Sequence, residues 1–328
     1  MKALRAVPWQ LWFLVLGVIW GGSFLFIKLG LQSFTPFQVA FGRVLIGALA
    51  LQLVARATRT RLPRGRRAWS HLAVVGLLFC GIPFTLFAYG ETQVSSILAG
   101  IINATTPLMT LLVALAAFPE QRPSRDRIAG LAIGFVGVLV VVGAWNGLGE
   151  GELLGVLACL GATLCYGIAW LYTRRHLAGM PEGPIAVATG QVGMGALFLL
   201  PVVVVTSLIE GGGVRTPVAA DTVLGMLALG ALGSGFAYVL SNHLVIEAGA
   251  TISSSVTYVT PLVAIVAGSL LLGEPLAWYQ PVGGAIVLLG VAITQGRIGL
   301  ALPGRPRPWQ DTRPAAGPAA SEADREMS

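Results

Sequence analysis

Two cationic side chains lie inside long apolar stretches of the chain. Lys28 is three residues from the end of the first stretch, and Arg43 lies about two helical turns into the second. A Lys or Arg at the centre of a membrane-spanning helix costs at least about 2.5–3.5 kcal/mol, so each residue is a candidate for binding an anionic group. Two alternatives stay open. Lys28 could reach the membrane interface along its aliphatic stem, and Arg43 could be a structural residue bonded to carbonyls or a carboxylate.

Acidic residues come near the ends of the apolar stretches and not in their middle. Glu91, Glu247 and Glu274 all have this position. We therefore do not expect proton coupling through a buried carboxylate. The deep charge is positive, which favours a zwitterionic or carboxylate-bearing solute over a lipophilic cation. We also predict that Arg43 or Lys28 pairs with Glu91.

Uncharged polar residues precede a proline in two of the stretches. The candidates are Asn103 and Thr106 before Pro107, and Ser254 and Tyr258 before Pro261. Proline removes one backbone hydrogen bond of a helix and frees a carbonyl one turn back. In a membrane such breaks persist where they line a cavity, and two equivalent breaks predict a binding site between them. The alternative is that small polar residues simply allow close helix packing.

Aromatic side chains in the interior of the stretches could line a cavity for a partly apolar solute. The candidates are Trp20, Tyr89, Tyr166 and Tyr238, with the amide of Asn242 as a further polar candidate. Trp170 is another aromatic of this kind, for which a place in the interfacial aromatic belt is the alternative.

Ten apolar stretches carry these residues. Hydrophobic residues make up 55% of the 328 residues and charged residues 11%, whereas a soluble domain carries about 25% charged residues. Each stretch is near the roughly 20 residues that cross a bilayer core, and the stretches are continuous and not alternating, which predicts helices. They are residues 10–31, 36–54, 72–89, 97–118, 128–145, 153–172, 185–209, 223–246, 252–272 and 278–294.

The basic residues predict how these helices are oriented. Of the 21 Lys and Arg residues, 18 fall in alternate loops and the two termini, on one side of the predicted membrane. Because cytoplasmic loops are enriched in Lys and Arg, we expect both termini, residues 1–9 and 297–328, in the cytoplasm, with the second disordered. The net charge of +7 is explained in this way without nucleic acid.

The two halves of the sequence resemble each other. The matches are residues 106–108 with 260–262, Glu120 with Glu274, and residues 137–138 with 290–291, at offsets of 153–154. Each half, residues 10–145 and 153–296, holds five predicted helices. Because five is odd, the second half is expected upside down relative to the first. Inverted repeats that enclose a site at the midplane are typical of secondary transporters.

The same residues carry a resemblance to a known family. Residues 237–238, Pro261 and the motif LGEPL at 272–276, followed by a glycine-rich helix, resemble the EamA type of the drug/metabolite transporter superfamily. The first half shows the motif more loosely, with FPE at 118–120, and Arg43 also fits. The resemblance spans residues 10–296. It implies an all-α integral membrane protein of ten helices in two inverted repeats, with a central cavity and export of amino acids or related metabolites.

Other functional classes lack their motifs in this sequence. Neither HExxH nor GxSxG occurs, and the three cysteines stand in apolar runs without a CxxC or Cys/His pattern. We predict no enzyme, cofactor or metal site, and expect the bilayer and a small solute, but no nucleic acid, as partners. The remaining alternatives are a membrane-embedded lipid-modifying enzyme, a membrane scaffold or sensor, and a carrier of phosphorylated or nucleotide-linked metabolites.

Overall fold

A computed structural model describes residues 8–117, 124–147, 149–177, 180–209, 218–248 and 255–299. All regular structure within these ranges is helical, which confirms the all-α class for that part of the chain. Two residues singled out from the sequence, Glu120 and Ser254, lie outside the described residues, as does most of each terminal segment.

Thirteen α-helices occur in the described ranges. They are α1 (Trp9–Gly30), α2 (Pro36–Ala57), α3 (Arg66–Gly76), α4 (Ile82–Gln93), α5 (Ser96–Asn103), α6 (Thr106–Ala117), α7 (Arg125–Val141), α8 (Glu150–His176), α9 (Gly183–Ile209), α10 (Ala220–Ala228), α11 (Ala237–Ala248), α12 (Thr260–Leu271) and α13 (Tyr279–Thr294). Short 3₁₀ helices cover Ala144–Asn146 and Ser255–Tyr258. Each of the ten predicted apolar stretches overlaps at least one of these helices.

Six helical segments are long and apolar enough to cross a membrane. They are Trp9–Gly30, Pro36–Ala57, Arg66–Gln93, Glu150–His176, Gly183–Ile209 and Ala220–Leu244. The pair α5 and α6, bent by 41° at their junction, makes a seventh if it is counted as one span, and Val256–Leu271 and Tyr279–Thr294 are shorter apolar helices. Large apolar side chains such as Leu208 and Leu270, 78% and 77% exposed, lie on the outside, where lipid would cover them.

Two of the long segments contain π-helical turns. Leu77–Gly81 joins α3 to α4, and Leu229–Phe236 joins α10 to α11. A π-helical turn adds a residue to the helix and leaves part of its backbone hydrogen bonding irregular, and such turns are frequent at functional sites. Each turn lies inside the third long helical segment of its half of the chain.

The halves pack mainly against each other. The largest helix contacts join α7 with α13, α2 with α9, and α4 with α8. Glycines allow the closest of these approaches, since a Cβ built on Gly137 of α7 would lie 2.6 Å from the backbone nitrogen of Val287 in α13. Small residues let membrane helices approach to backbone contact, so the two halves pack closely against each other.

Candidate functional site

A cavity of about 60 Å³ lies between the two halves. The first half contributes Trp20, Ser23, Phe24, Ile27, Arg43, Phe79, Phe84, Phe87, Asn103 and Thr106, and the second half Tyr166, Trp170, Tyr238 and Thr257. Most of this wall is aromatic, and Arg43 is the charged side chain among these lining residues. Six of the sequence-predicted residues besides Arg43 meet here: Trp20, Asn103, Thr106, Tyr166, Trp170 and Tyr238.

Arg43 is held rigidly although it is charged and 4% exposed. Its Nε donates a hydrogen bond of 3.1 Å to Ser234 Oγ, in the second π-helical turn. Its guanidinium carbon lies 3.5 Å from the centre of the Phe84 ring. A cation over an aromatic face is stabilised electrostatically, more so when it is desolvated. The bond and the ring fix the orientation of the guanidinium at the cavity wall.

The break between α5 and α6 follows from Pro107. Proline cannot donate to the carbonyl four residues back, which here belongs to Asn103. The hydroxyl of Thr106 donates to that carbonyl instead, at 2.8 Å. The Thr-Pro pair thus bends the helix and satisfies its freed carbonyl, while the Asn103 side chain lines the cavity.

The second half repeats this arrangement at Pro261. The carbonyl that this proline leaves free belongs to Thr257, and the hydroxyl of Thr260 donates to it at 2.8 Å. The Asn103 amide also approaches the Thr260 hydroxyl, with 3.5 Å between Nδ2 and Oγ1. The two breaks therefore meet beside the cavity, each contributing polar atoms to it.

Phe79 is the centre of an aromatic cluster at one end of the cavity. Its ring lies 5.3 Å from Trp170, 5.8 Å from Tyr166 and 6.1 Å from Tyr238, measured between centroids. The Tyr238 hydroxyl donates to the Phe79 backbone carbonyl at 3.0 Å. That carbonyl belongs to the first π-helical turn. The cluster thus joins the π-helical region of one half to a helix of the other.

A second cavity of about 90 Å³ lies on the far side of this cluster. It shares Phe79, Trp170 and Tyr238 with the first cavity, and it continues to Arg174 near the end of α8. Asn242 lines this second cavity, and its buried Nδ2 has no hydrogen-bond partner among the described residues. The shared aromatic side chains separate the two spaces.

Lys28 and Glu91 lie together beyond the first cavity. The Lys28 ammonium donates to the backbone carbonyls of Glu91, at 2.7 Å, and Val94, at 2.9 Å. Lys28 thus contacts the backbone of Glu91 and not its side chain, and the predicted pairing with the carboxylate is not formed, since both carboxylate oxygens have no hydrogen-bond partner in the described structure. Arg43 bonds to Ser234 instead of to this carboxylate.

Glu91 is fully buried, which the sequence analysis did not anticipate. It lies at the end of α4, but its exposure is 0%. The cause is the contact between α4 and α8: a Cβ on the neighbouring Gly90 would lie 2.6 Å from Cys159 Sγ and 3.1 Å from the Gly155 carbonyl. A helix end is exposed only if no other helix covers it, so position along the helix was a poor guide to burial.

Glu274 stabilises the start of α5 from the opposite half. Its carboxylate accepts hydrogen bonds from Ser96 N at 3.0 Å, Ser96 Oγ at 2.8 Å and Ile97 N at 3.1 Å. The first N–H groups of a helix have no partner within the helix, and a carboxylate there also interacts favourably with the helix dipole. The contact links the end of α12 to the bent pair α5 and α6.

Other predicted residues lie outside the first cavity. Tyr89 is 38% exposed, and Tyr258 packs beside the largest apolar cluster of the interior. Sequence reasoning missed Ser23, Phe24 and Ile27, which share one helical face with Trp20 at the spacing i, i+3, i+4 and i+7. That spacing was a usable signal. No such signal marked Phe79, Phe84 and Phe87, because a phenylalanine in an apolar helix can face either lipid or a cavity.

Taken together, the apolar helices of membrane-spanning length define a multi-pass membrane protein, with a largely aromatic cavity beside the buried guanidinium of Arg43. The chain belongs to the EamA-like transporter family, whose model matches residues 7–143 and again residues 153–295.

Individual relatives match over most of their length. An uncharacterised transporter of Archaeoglobus fulgidus is 27% identical, over 85% of this chain and 94% of its own. A probable terminal-alkyne amino-acid exporter of Streptantibioticus cattleyicolor is 29% identical, over 90% of this chain and 95% of its own. The uncharacterised inner membrane transporter YedA of Escherichia coli K12 is 27% identical over 85% and 88%. A solved crystal structure with 18% sequence identity covers 88% of this chain with a TM-score of 0.59, a likeness of fold.

Proposed function

We propose that the protein is a secondary transporter that exports an amino acid, or a related zwitterionic or carboxylate-bearing solute, across the cytoplasmic membrane by alternating access. The observation that carries the proposal is the buried Arg43 in the wall of the central cavity.

Arg43 suits a carboxylate ligand. A guanidinium has five N–H donors in a planar fork, and the bond to Ser234 uses the Nε donor. The fork matches the two oxygens of a carboxylate and binds them bidentately. Phe84 and Ser234 hold the group in place, so little conformational entropy would be lost on binding. The aromatic wall around it suits an apolar side chain of the solute.

The proposed architecture is ten transmembrane helices in two inverted repeats, residues 10–145 and 153–296. Three features of the described residues support it. Both halves carry a π-helical turn in the third helix and a Thr-Pro break in the fourth. The packing is also reciprocal, since α4 and α6 contact α8 as α11 and α12 contact α1. With the basic residues on one side, this arrangement would place both termini in the cytoplasm.

Alternating access would use the aromatic cluster around Phe79 as the barrier on one side. The second cavity, beyond the cluster, reaches Arg174 near the end of α8, which is the end of that helix proposed as cytoplasmic. Movement of Tyr238 and Trp170 away from Phe79 would join the two cavities and open the Arg43 site to the cytoplasm. Rocking of repeats around a central site is the general mechanism of transporters built in this way.

The name of the Streptantibioticus relative, a probable terminal-alkyne amino-acid exporter, supports the substrate class and the direction. A carrier of phosphorylated or nucleotide-linked metabolites would need more cations than Arg43 at the cavity wall. A lipid-modifying enzyme or a scaffold without flux would not exchange solutes, so a transport assay separates these alternatives directly.

The test is solute counterflow in proteoliposomes with labelled amino acids, organic acids and quaternary ammonium dyes. We expect saturable exchange of the amino or organic acids. Preferred exchange of the dyes would refute the substrate class, and a folded, inserted protein that exchanges none of the panel would contradict the proposal as a whole.

Variants of α2 then test the assigned role of Arg43. Arg43→Ala should raise KM about 10- to 150-fold, because a hydrogen bond to a charged group contributes about 1.5–3 kcal/mol. Arg43→Lys keeps the positive charge but loses the planar fork of donors, so its KM should lie between those of the unmodified protein and Arg43→Ala. Arg56→Ala, an exposed cation on the same helix, is the matched control and should behave as the unmodified protein. An unaltered KM in Arg43→Ala would remove Arg43 from the site.

A further inference from the structure

Glu91 carries a buried carboxylate that the proposed binding of solute at Arg43 does not use. Its exposure is 0%, and neither of its carboxylate oxygens has a hydrogen-bond partner among the described residues. Burying an ionised carboxylate without hydrogen bonds is expensive, whereas the neutral acid is far cheaper to bury. A position of this kind in a membrane protein is a candidate proton site.

The surroundings of Glu91 bring both signs of charge to it. The groups that interact with it electrostatically are Lys28 from α1, Arg43 from α2, Glu274 from the segment before α13 and the thiol of Cys159 from α8. The ammonium of Lys28 and the guanidinium of Arg43 attract an ionised carboxylate, whereas the carboxylate of Glu274 repels it. A helix movement that changes the distance between Lys28 and this carboxylate therefore changes how well the ionised form is stabilised.

Glu91 is also placed to sense the state of the cavity. Phe87, one helical turn earlier in α4, lines the cavity, and so does Phe24, one turn before Lys28 in α1. Lys28 is bonded to the backbone carbonyls at the end of α4, so α1 and α4 are tied together beside the carboxylate. Any rearrangement that opens the cavity between these helices would move Lys28 relative to Glu91.

We propose that Glu91 binds the coupling proton of the transport cycle. When the site is open to one side of the membrane, an Oε atom of the ionised carboxylate accepts one proton. When the site is open to the other side, the carboxylic acid releases that proton, and no other reactant is needed. The inference rests on the proposed transport function and adds to it the identity of the coupling ion. It is opposed to the expectation, drawn from the sequence, that there is no proton coupling through a buried carboxylate.

The experiment uses the full-length protein in proteoliposomes with a solute that it exchanges. For the unmodified protein, a pH gradient of one unit should drive solute accumulation, up to about tenfold for one proton per solute. The direction of the pH gradient that drives accumulation distinguishes symport from antiport. Glu91→Gln should keep measurable exchange but lose gradient-driven accumulation. Glu150→Gln removes an exposed carboxylate at the start of α8 and, as the matched control, should retain full coupling.

The outcomes separate the two proposals. Exchange by the unmodified protein without any response to the pH gradient would overturn the proton site and leave the transport function standing. Coupling that persists in Glu91→Gln, or complete loss of exchange in a folded Glu91→Gln, would also overturn it. If no solute exchanges, the transport function itself fails, and the proton site with it. Should Glu91→Gln not fold, Glu91→Asp keeps a titratable group and should shift the pH profile of coupled uptake, and an unshifted profile would count against Glu91.

Discussion

The glycine-lined contact between α7 and α13 allows a sharp test of the packing. A Cβ at Gly137 would lie 2.6 Å from the backbone nitrogen of Val287 and 3.0 Å from the carbonyl oxygen of Gly283. Ordinary van der Waals contact for a Cβ begins at 3.4 Å, so Gly137→Ala requires the two backbones to separate by about 0.8 Å. Backbone atoms cannot move aside as a flexible side chain can, so the whole helix has to shift.

We expect Gly137→Ala to lower the free energy of unfolding by about 1–3 kcal/mol, the usual cost of overpacking a tight interior. Gly290→Ala, on the partner helix, should cost a similar amount, because its Cβ would lie 2.6 Å from the carbonyl oxygen of Gly130. The measurement is equilibrium unfolding in mixed micelles, followed by far-UV circular dichroism.

The control is Gly193→Ala in α9, where a Cβ would meet nothing within 4 Å. Alanine is about 1 kcal/mol better than glycine in a helix interior, so this variant should be unchanged or slightly more stable. The reasoning would be refuted if Gly137→Ala were as stable as Gly193→Ala, since the same substitution would then cost nothing at backbone contact.

Two further substitutions test contacts between the halves. Glu274→Gln offers only one acceptor oxygen to the three donors of Ser96 and Ile97, so we expect a loss of about 1–3 kcal/mol, read from thermal unfolding in detergent. An unchanged unfolding temperature would show that the start of α5 does not depend on this carboxylate. Tyr238→Phe removes the 3.0 Å bond to the Phe79 carbonyl, worth about 0.5–1.5 kcal/mol. If opening at this cluster limits the rate of transport, exchange by Tyr238→Phe should be about 2- to 12-fold faster, with KM unchanged. A raised KM would instead show that the Tyr238 hydroxyl takes part in solute binding.

Much of the helical framework could be predicted from local sequence alone. A run of about 20 apolar residues favours a membrane-spanning helix whatever its neighbours are, and each predicted run overlaps a helix. The breaks at Pro107 and Pro261 follow from the missing N–H of proline, a covalent property of those residues. The inverted relation of the repeats and the orientation in the membrane stay predictions.

The candidate site was predicted in part. Trp20, Tyr166 and Tyr238 line the cavity as expected, because bulky amphipathic rings in the interior of an apolar helix are uncommon enough to be noticed. The π-helical turns and the central place of Phe79 could not be predicted, since an extra residue in a helix has no signature in apolar sequence.

The sequence by itself determined the family, the helical class and the points at which helices bend. These depend on composition over short windows and on the chemistry of single residues. Only the tertiary structure decided which face of each helix meets the cavity, and that Glu91 is buried while Tyr89, two residues earlier, is exposed. The physical reason is that burial depends on the helices packed around a residue, here α8 against the end of α4, and those partners are more than 60 positions away in the chain.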